Sequence, residues 1–185
     1  MTKLKTVLLG LGASLGVLYG ISTLPVNAAP QNGSGGMPRP LALLKPAKAA
    51  PAVAFTDAKG VRHSLKDYQG KYVLLNMWAT WCAPCVAELP ALARLKAMAP
   101  NVTVLAVDLT GRKETPARAA AYLRDHHVAV LGANVDTDTV FMRSFIVAVM
   151  PTTLLIDPAG NVVARAEGPA EWASPSSVAY FQSLQ

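Results

Sequence analysis

Two cysteines separated by two residues are the side chains of this sequence best suited to chemistry. Cys82 and Cys85 are the only cysteines among 185 residues, within the stretch Trp81-Cys82-Ala83-Pro84-Cys85. The stretch follows an apolar run over 72–78 and precedes a segment of helix formers. A strand that delivers C-x-x-C to the first turn of a helix is typical of disulfide exchange. Helix-start amides stabilise a thiolate there, and the second thiol can resolve a mixed disulfide.

Other uses of the pair are less favoured by the sequence. A structural zinc site needs two more Cys or His ligands at matching spacing, and His63, His126 and His127 do not provide it. The adjacent histidines follow a predicted helix and are interpreted as a feature of its end. A structural disulfide over so short a loop would constrain the unfolded chain little. A redox role is therefore predicted.

The order of the two thiols predicts their roles. Cys82, at the start of the helix, is the predicted nucleophile, and Cys85 the resolving thiol. Glu88 lies one helical turn beyond Cys85 and is a candidate proton acceptor, the alternative being an ordinary solvated glutamate. Trp81 is predicted to form an apolar lip beside Cys82, although partial burial in the core would also explain it. The Ala83-Pro84 pair adds no positive charge to stabilise the thiolate, which favours a reducing enzyme.

The elements that must position these residues alternate between strand and helix, which predicts an α/β sandwich with a mixed sheet and helices on both faces. Near-continuous apolar runs and turn signals predict a hairpin of 53–55 with 61–63, and strands over 72–78, 102–107, 128–131, 152–156 and 162–166. Helix formers and capping residues predict helices over 83–98, 115–124, 138–145 and 176–184. Asp136 and Asp138 are interpreted as N-capping residues of the third helix.

The N-terminus predicts export across a membrane. Lys3 and Lys5 precede an uncharged apolar stretch, and small residues allow cleavage after Ala28, so 1–28 is a predicted signal peptide or an uncleaved anchor. Residues 29–51 are rich in Pro, Ala and Gly and predict a flexible linker. The folded domain is predicted at 52–185. The expected location is the far side of the membrane, the periplasm in a bacterium, where disulfide chemistry is meaningful.

Charge and motifs narrow the partners. The formal net charge is +6, or +4 without Lys3 and Lys5, and the basic residues form no run with interleaved aromatics, so no nucleic-acid binding is expected. The sequence shows no nucleotide or flavin motif, and neither a cofactor nor a metal is expected. The P-x-x-x-T-x-x-C pattern of peroxiredoxins is absent.

Three segments together resemble the TlpA/ResA branch of thiol–disulfide oxidoreductases, in the thioredoxin superfamily. They are the strand and cysteine motif over 75–85, the following Glu88-Leu89-Pro90, and Met150-Pro151-Thr152-Thr153. The resemblance covers roughly residues 53–170. It implies a thioredoxin fold with an N-terminal hairpin and a central helix and strand insertion over about 108–145.

The resemblance also implies roles for further residues. Pro151 is expected to follow a cis peptide bond beside the cysteines, with the backbone of Met150 free to pair with an extended substrate segment. Asn76 is neutral where cytoplasmic thioredoxins hold a buried acid. Proton transfer would therefore fall to Glu88.

The implied activity is reduction of disulfides in exported proteins, such as apocytochrome c or copper-site cysteines of an oxidase. Electrons would come from a membrane donor of the DsbD/CcdA kind, and the N-terminus could tether the domain to the membrane. A periplasmic oxidant or isomerase is an alternative with a higher reduction potential. A Cu(I)-binding assembly factor is another, because soft thiolates suit that ion.

Overall fold

An eight-stranded mixed sheet forms the centre of the computed structural model, which describes residues 36–185. The strands are β1 Ala42–Ala49, β2 Ala54–Thr56, β3 Arg62–Ser64, β4 Tyr72–Trp78, β5 Val102–Asp108, β6 Asn134–Val135, β7 Thr152–Ile156 and β8 Asn161–Glu167. In the sheet they lie in the order β1-β8-β7-β4-β5-β6-β2-β3. The predicted mixed sheet, N-terminal hairpin and central insertion are therefore confirmed.

Four α-helices connect or follow these strands. They are α1 Ala83–Met98, α2 Pro116–Asp125, α3 Phe141–Ser144 and α4 Pro175–Gln182. Local capping explains two of the starts. The Thr115 hydroxyl accepts a hydrogen bond from the amide of Arg118 at 3.2 Å, and the Ser174 hydroxyl accepts one from the amide of Ser177 at 3.2 Å. Each cap is followed by a proline at the first helical position, where a missing N–H costs nothing.

The central strand β4 is buried along its whole length. Its side chains alternate between two hydrophobic clusters, one on each face of the sheet. The first cluster takes Leu74 and Trp78 and is covered by α1, α2 and α4. The second takes Leu75 and Met77 and is covered by α3 and the 3₁₀ turn Leu65–Tyr68. A strand buried on both faces has no side that faces solvent, which explains why its sequence is apolar except for Asn76.

The register of the sheet brings the predicted site together. β4 runs parallel to β5, with Trp78 opposite Asp108, and antiparallel to β7, with Met77 opposite Thr152. The carboxyl ends of β4 and β5 therefore meet the start of β7 at one edge of the sheet. Pro151, one residue before Thr152, lies beside the loop that carries the cysteines.

The prediction of a flexible linker over 29–51 is wrong for residues 42–49, while residues 29–35 lie outside the described residues. Ala42–Ala49 forms β1, which pairs antiparallel with β8, and Leu41 is buried in the first cluster. Nearly all of β1 is exposed, so it contributes backbone hydrogen bonds to an edge without an apolar period that a sequence pattern could reveal. The folded domain thus begins before residue 52. The predicted signal peptide over 1–28 lies outside the described residues.

Two smaller predictions are also wrong. Residues 128–131 do not form a strand: Ala129–Leu131 is a 3₁₀ turn, and the strand follows at Asn134–Val135. Asp136 does cap α3, since its carboxylate accepts hydrogen bonds from two helix-start amides, but Asp138 instead pairs with the guanidinium of Arg62 at 2.6 Å. Short apolar segments carry too little pattern to separate a strand from a turn.

Within residues 36–185, no helix has the length and apolar character needed to cross a membrane.

Candidate active site

The two cysteines form a disulfide at the start of α1. Their sulfurs are 2.07 Å apart, and Cys82 is the N-cap residue of the helix. Cys82 retains 6% of its surface exposed, whereas Cys85, in the first turn, is fully buried. The placement agrees with the predicted order, in which the first cysteine meets the solvent and the helix-start amides.

Trp81 is exposed, as predicted for a lip beside Cys82. Its side chain is 61% exposed, which removes the alternative of core burial. The indole N–H donates to the carbonyl of Thr110 at 3.3 Å, so one edge of the ring is fixed to the loop after β5. The result is a flat apolar surface with a defined orientation next to the more accessible cysteine.

Glu88 is buried, which overturns the alternative of an ordinary solvated glutamate. One carboxylate oxygen accepts from the amide group of Asn76 at 2.7 Å. The other accepts from the indole of Trp172 at 2.8 Å and the backbone amide of Ala170 at 3.2 Å. Burial raises the pKa of Glu88, and these three hydrogen bonds oppose the rise by favouring the charged form. Because its pKa is raised, the buried carboxylate of Glu88 takes up a proton more readily than a solvated glutamate would.

Asn76 links Glu88 to the sheet. Its amide nitrogen also donates to the hydroxyl of Thr153 at 2.9 Å, across the β4–β7 pair. The amide oxygen of Asn76 is buried and has no hydrogen-bond partner among the described residues. The neutral side chain therefore serves as a donor to Glu88 and does not compete with it for a proton.

Pro151 follows a cis peptide bond from Met150, as the resemblance implied. The carbonyl of Pro151 accepts from the amide of Gly168, and the hydroxyl of Thr152 donates to the carbonyl of Val149, at 2.9 and 2.6 Å. Within residues 36–185, the backbone of Met150 makes no hydrogen bond of its own. An extended segment could pair with these free groups.

A cleft of about 680 Å³ opens beside Glu88. One wall is the outer face of α1, from Pro84 between the cysteines to Arg94, and the facing wall is the segment 169–174. Small residues dominate both walls, which leaves room for a peptide backbone to approach.

The described residues hold no group of three or more His, Cys, Asp or Glu side chains that could bind a metal. His126, in particular, stacks on Tyr122 at the end of α2, with ring centroids 4.0 Å apart.

Several residues of the site were missed by sequence reasoning. Trp172, Ala170 and Thr153 hold Glu88 and Asn76 from distant parts of the chain, and no local signal marks them. Asp108 and Thr110 support the cysteine loop from β5. A polar residue at the end of an apolar run is a weak signal that could have indicated Asp108, since such ends line sites in open sheets.

Comparisons with known proteins agree with this geometry. The model of the AhpC/TSA family matches residues 46–165. Thiol-disulfide oxidoreductase ResA of Bacillus cereus is 34% identical over 123 residues, which are 65% of this chain and 69% of that protein. Thioredoxin-like protein YneN of Bacillus subtilis is 37% identical over 120 residues, which are 61% of this chain and 66% of that protein.

Solved structures give the same picture. A putative thiol:disulfide interchange protein DsbE from Chlorobium tepidum matches with a TM-score of 0.59 and 28% identity, covering 71% of this chain and 89% of that one. The exposed lipoprotein thioredoxin Etrx1 of Streptococcus pneumoniae matches with a TM-score of 0.56 and 28% identity, covering 64% and 90%.

The fold, the Cys82–Cys85 disulfide and the similar proteins all indicate a thiol–disulfide oxidoreductase with a thioredoxin fold. The chain belongs to the AhpC/TSA family and, within it, is of the ResA/TlpA-like kind.

Proposed function

We propose that this enzyme reduces disulfides of exported proteins, with Cys82 as the attacking thiol, Cys85 as the resolving thiol and Glu88 as the proton acceptor. The observation that carries the proposal is the Cys82–Cys85 disulfide at the start of α1, with the buried Glu88 one turn beyond it.

The reaction begins with the dithiol form of the enzyme. The Cys82 thiolate attacks a client disulfide, forming a mixed disulfide and releasing one client sulfur as a thiolate. Cys85 then loses its proton to the carboxylate of Glu88 and attacks the sulfur of Cys82. The second client thiolate leaves, so the client gains two electrons and the enzyme ends as the disulfide.

The client is proposed to bind as an extended segment. The free backbone of Met150 beside the cis bond to Pro151 offers pairing, and the lip of Trp81 offers apolar contact. The cleft along α1 gives the segment room to continue past the cysteines. Apocytochrome c and copper-site cysteines are the proposed client classes.

The reducing direction rests on the residues between the cysteines. Ala83 and Pro84 add no positive charge, and Pro84 has no N–H to offer a thiolate, so the thiolate and hence the reduced form gain little stabilisation. The proposed place is the periplasm, with electrons from a membrane donor of the DsbD/CcdA kind, since the domain contains no nucleotide or flavin motif. One of the structural relatives is itself named an exposed lipoprotein.

A trapping experiment tests the roles of the cysteines. Cys85→Ser should accumulate mixed disulfides with the client in intact cells, because the first attack proceeds and the second cannot. Cys82→Ser should capture nothing and show no reductase activity. Trapping by Cys82→Ser but not by Cys85→Ser would show that the roles are reversed.

The reduction potential of the Cys82–Cys85 pair tests the direction. A value near that of thioredoxin, about −270 mV, is expected of a reductant. A value near the strong oxidant at about −120 mV would instead favour the oxidant or isomerase. The redox state in freshly harvested cells is the companion measurement, and a reductant should be found mainly as the dithiol.

A further inference from the structure

Asp108, at the end of β5, is a second buried carboxylate, and the exchange reaction above does not use it. It is 1% exposed, and one of its oxygens accepts hydrogen bonds from both the backbone amide of Thr110, at 2.7 Å, and the Thr110 hydroxyl. Its other oxygen is buried and has no partner among the described residues. A buried charge that is only half hydrogen-bonded costs stability, so a compensating role is expected.

Thr110 transmits the position of Asp108 to the cysteine loop. A threonine hydroxyl has one proton, and here that proton goes to Asp108. The hydroxyl oxygen must therefore accept from Thr80, whose amide and hydroxyl lie 3.0 and 3.2 Å away. The carbonyl of Thr110 accepts the indole N–H of Trp81. Thr110, which Asp108 orients, therefore binds three groups that precede Cys82: the amide and hydroxyl of Thr80 and the indole of Trp81.

We propose that Asp108 is a positioning residue for client binding, which acts through Thr110 to hold Trp81 and the turn before Cys82 in the docking orientation. The proposal rests on the function proposed above and adds a determinant of client affinity. Trp81 is the exposed apolar surface beside the reactive sulfur, so a loosened indole should weaken client binding more than it slows the chemistry.

The electrostatic surroundings of Asp108 make its hydrogen bonding with Thr110 sensitive to pH. Burial, together with the negative charge of Glu114, raises the pKa of Asp108 to about 6. The proton would settle on the unpartnered oxygen and leave the other as a weaker, neutral acceptor for Thr110.

Two other titratable residues, Tyr122 and Asp136, lie beside Asp108. Tyr122 has its pKa raised by burial and by the charge of Asp108. The backbone amide of Asp136 donates to the carbonyl of Asp108, while the Asp136 carboxylate is engaged at the start of α3. The guanidinium of Arg118 lies 3.8 Å from the carboxylate of Glu114, and within residues 36–185 no Lys or Arg forms an ion pair with Asp108.

The test compares Asp108→Asn with the wild type on a disulfide-bonded client peptide. Asparagine keeps an oxygen acceptor for Thr110 but stays neutral, so it should mimic the protonated state. At pH 7.5 we expect KM to rise about fivefold with kcat within twofold, the effect of a charged acceptor becoming neutral. At pH 5 the wild type should approach the variant. Asp125→Asn, an exposed aspartate on α2, is the matched control.

A second readout does not depend on activity. The indole N–H resonance of Trp81, identified by its loss in Trp81→Phe, should titrate near pH 6 in the wild type and not in Asp108→Asn. Thr110→Val should raise KM as Asp108→Asn does, and Thr110→Ser, which keeps the hydroxyl, should restore it. These variants test the same link should Asp108→Asn fail to fold.

The outcomes separate this proposal from the function itself. Unchanged KM in both Asp108→Asn and Thr110→Val, or a Trp81 resonance that titrates equally in wild type and Asp108→Asn, would overturn the positioning role while leaving the reductase intact. If the wild type reduces no disulfide, the proposed function fails, and the Trp81 titration still decides the link from Asp108 to the indole.

Discussion

Glu88 and Asp108 are buried carboxylates on two elements next to the cysteine loop: Glu88 lies in the helix that follows the loop, and Asp108 lies at the end of the neighbouring strand β5. Both oxygens of Glu88 accept hydrogen bonds, from three donors in all. Among the described residues, only one oxygen of Asp108 accepts hydrogen bonds, and both of its donors belong to Thr110. The protein therefore supplies hydrogen-bond donors to both oxygens of Glu88, whereas one oxygen of Asp108 is buried without a partner among the described residues.

The difference separates a group suited to proton transfer from one suited to holding a loop. The donors to Glu88 lie in β4 and in the segment before α4, so they hold its carboxylate within the core. Both donors to Asp108 belong to Thr110, two residues further along the chain, and the carbonyl of Thr110 binds the exposed Trp81. Equal burial thus produces different chemistry because the hydrogen-bond partners differ.

The largest effect expected from this comparison is on the rate at which the mixed disulfide is resolved. Glu88→Gln removes the proton acceptor for Cys85 and should slow single-turnover resolution about 100-fold, the usual scale of a lost general base. The fold should persist, because glutamine keeps an acceptor oxygen for Trp172 and Ala170. A flip of the Asn76 amide would then present its oxygen, which has no partner among the described residues, to the new amino group.

A preformed mixed disulfide between the enzyme and a client peptide is the substrate for that measurement. Glu171→Gln makes the same charge change on an exposed residue of the same cleft and should resolve the mixed disulfide at the wild-type rate. Equal rates for Glu88→Gln and wild type would show that the Cys85 proton leaves by another route.

A stability difference that depends on pH is the next largest effect. Because the pKa of Asp108 is raised to about 6 in the folded protein, its favourable contribution is full below about pH 4 and is lost as the pH rises through 6. Asn does not titrate. Asp108→Asn should therefore match the wild type near pH 4 and exceed it by about 2–3 kcal/mol at pH 7.5, since one pKa unit is worth ~1.4 kcal/mol.

Urea unfolding of the oxidised protein at several pH values measures this difference. A constant offset between the two proteins across the pH range would contradict the raised pKa of Asp108. Together with the higher KM expected of the same variant, a gain in stability at neutral pH would show that the charge is kept at a cost to the fold.

The residues of this site that the sequence predicts are mainly those that lie close together in the chain. Cys82, Cys85 and Glu88 lie within one helix start, and helical spacing is enough to place Glu88 a turn beyond Cys85. The role of Pro151 is predicted from the resemblance of Met150-Pro151-Thr152-Thr153 to the family's motif. What makes Glu88 more than a solvated residue is Trp172, which is 84 positions away, and no local pattern encodes that contact.

Asp108 and β1 show two other limits. The apolar pattern of β5 ends at Val107, so the sequence marks the strand but offers only a weak signal, a polar residue at its end, for the buried carboxylate of Asp108. β1 has no period because its side chains remain in solvent, and only the open edge of β8 explains why it forms. Both features depend on which strands are neighbours in the sheet. The sequence pattern predicts a mixed sheet but does not predict which strand pairs with each edge.

The smallest effect concerns the donors that distinguish Glu88 from Asp108. Trp172→Phe removes one of the two hydrogen bonds to a single oxygen of Glu88 and keeps most of the packing, so unfolding should cost about 1–2 kcal/mol less. With one donor lost, the charged form is less favoured and the pKa of Glu88 should rise further. Because Glu88 accepts a proton only when ionised, the acid limb of the rate of mixed-disulfide resolution should move to higher pH. The shift is measured from the pH profile of the resolution rate in Trp172→Phe, compared with the same profile in Asp108→Asn. A shift in Trp172→Phe alone supports separate roles for the two carboxylates, whereas a shift to lower pH in Asp108→Asn would mean that the charge of Asp108 raises the pKa of Glu88 and that the two titrate as one system.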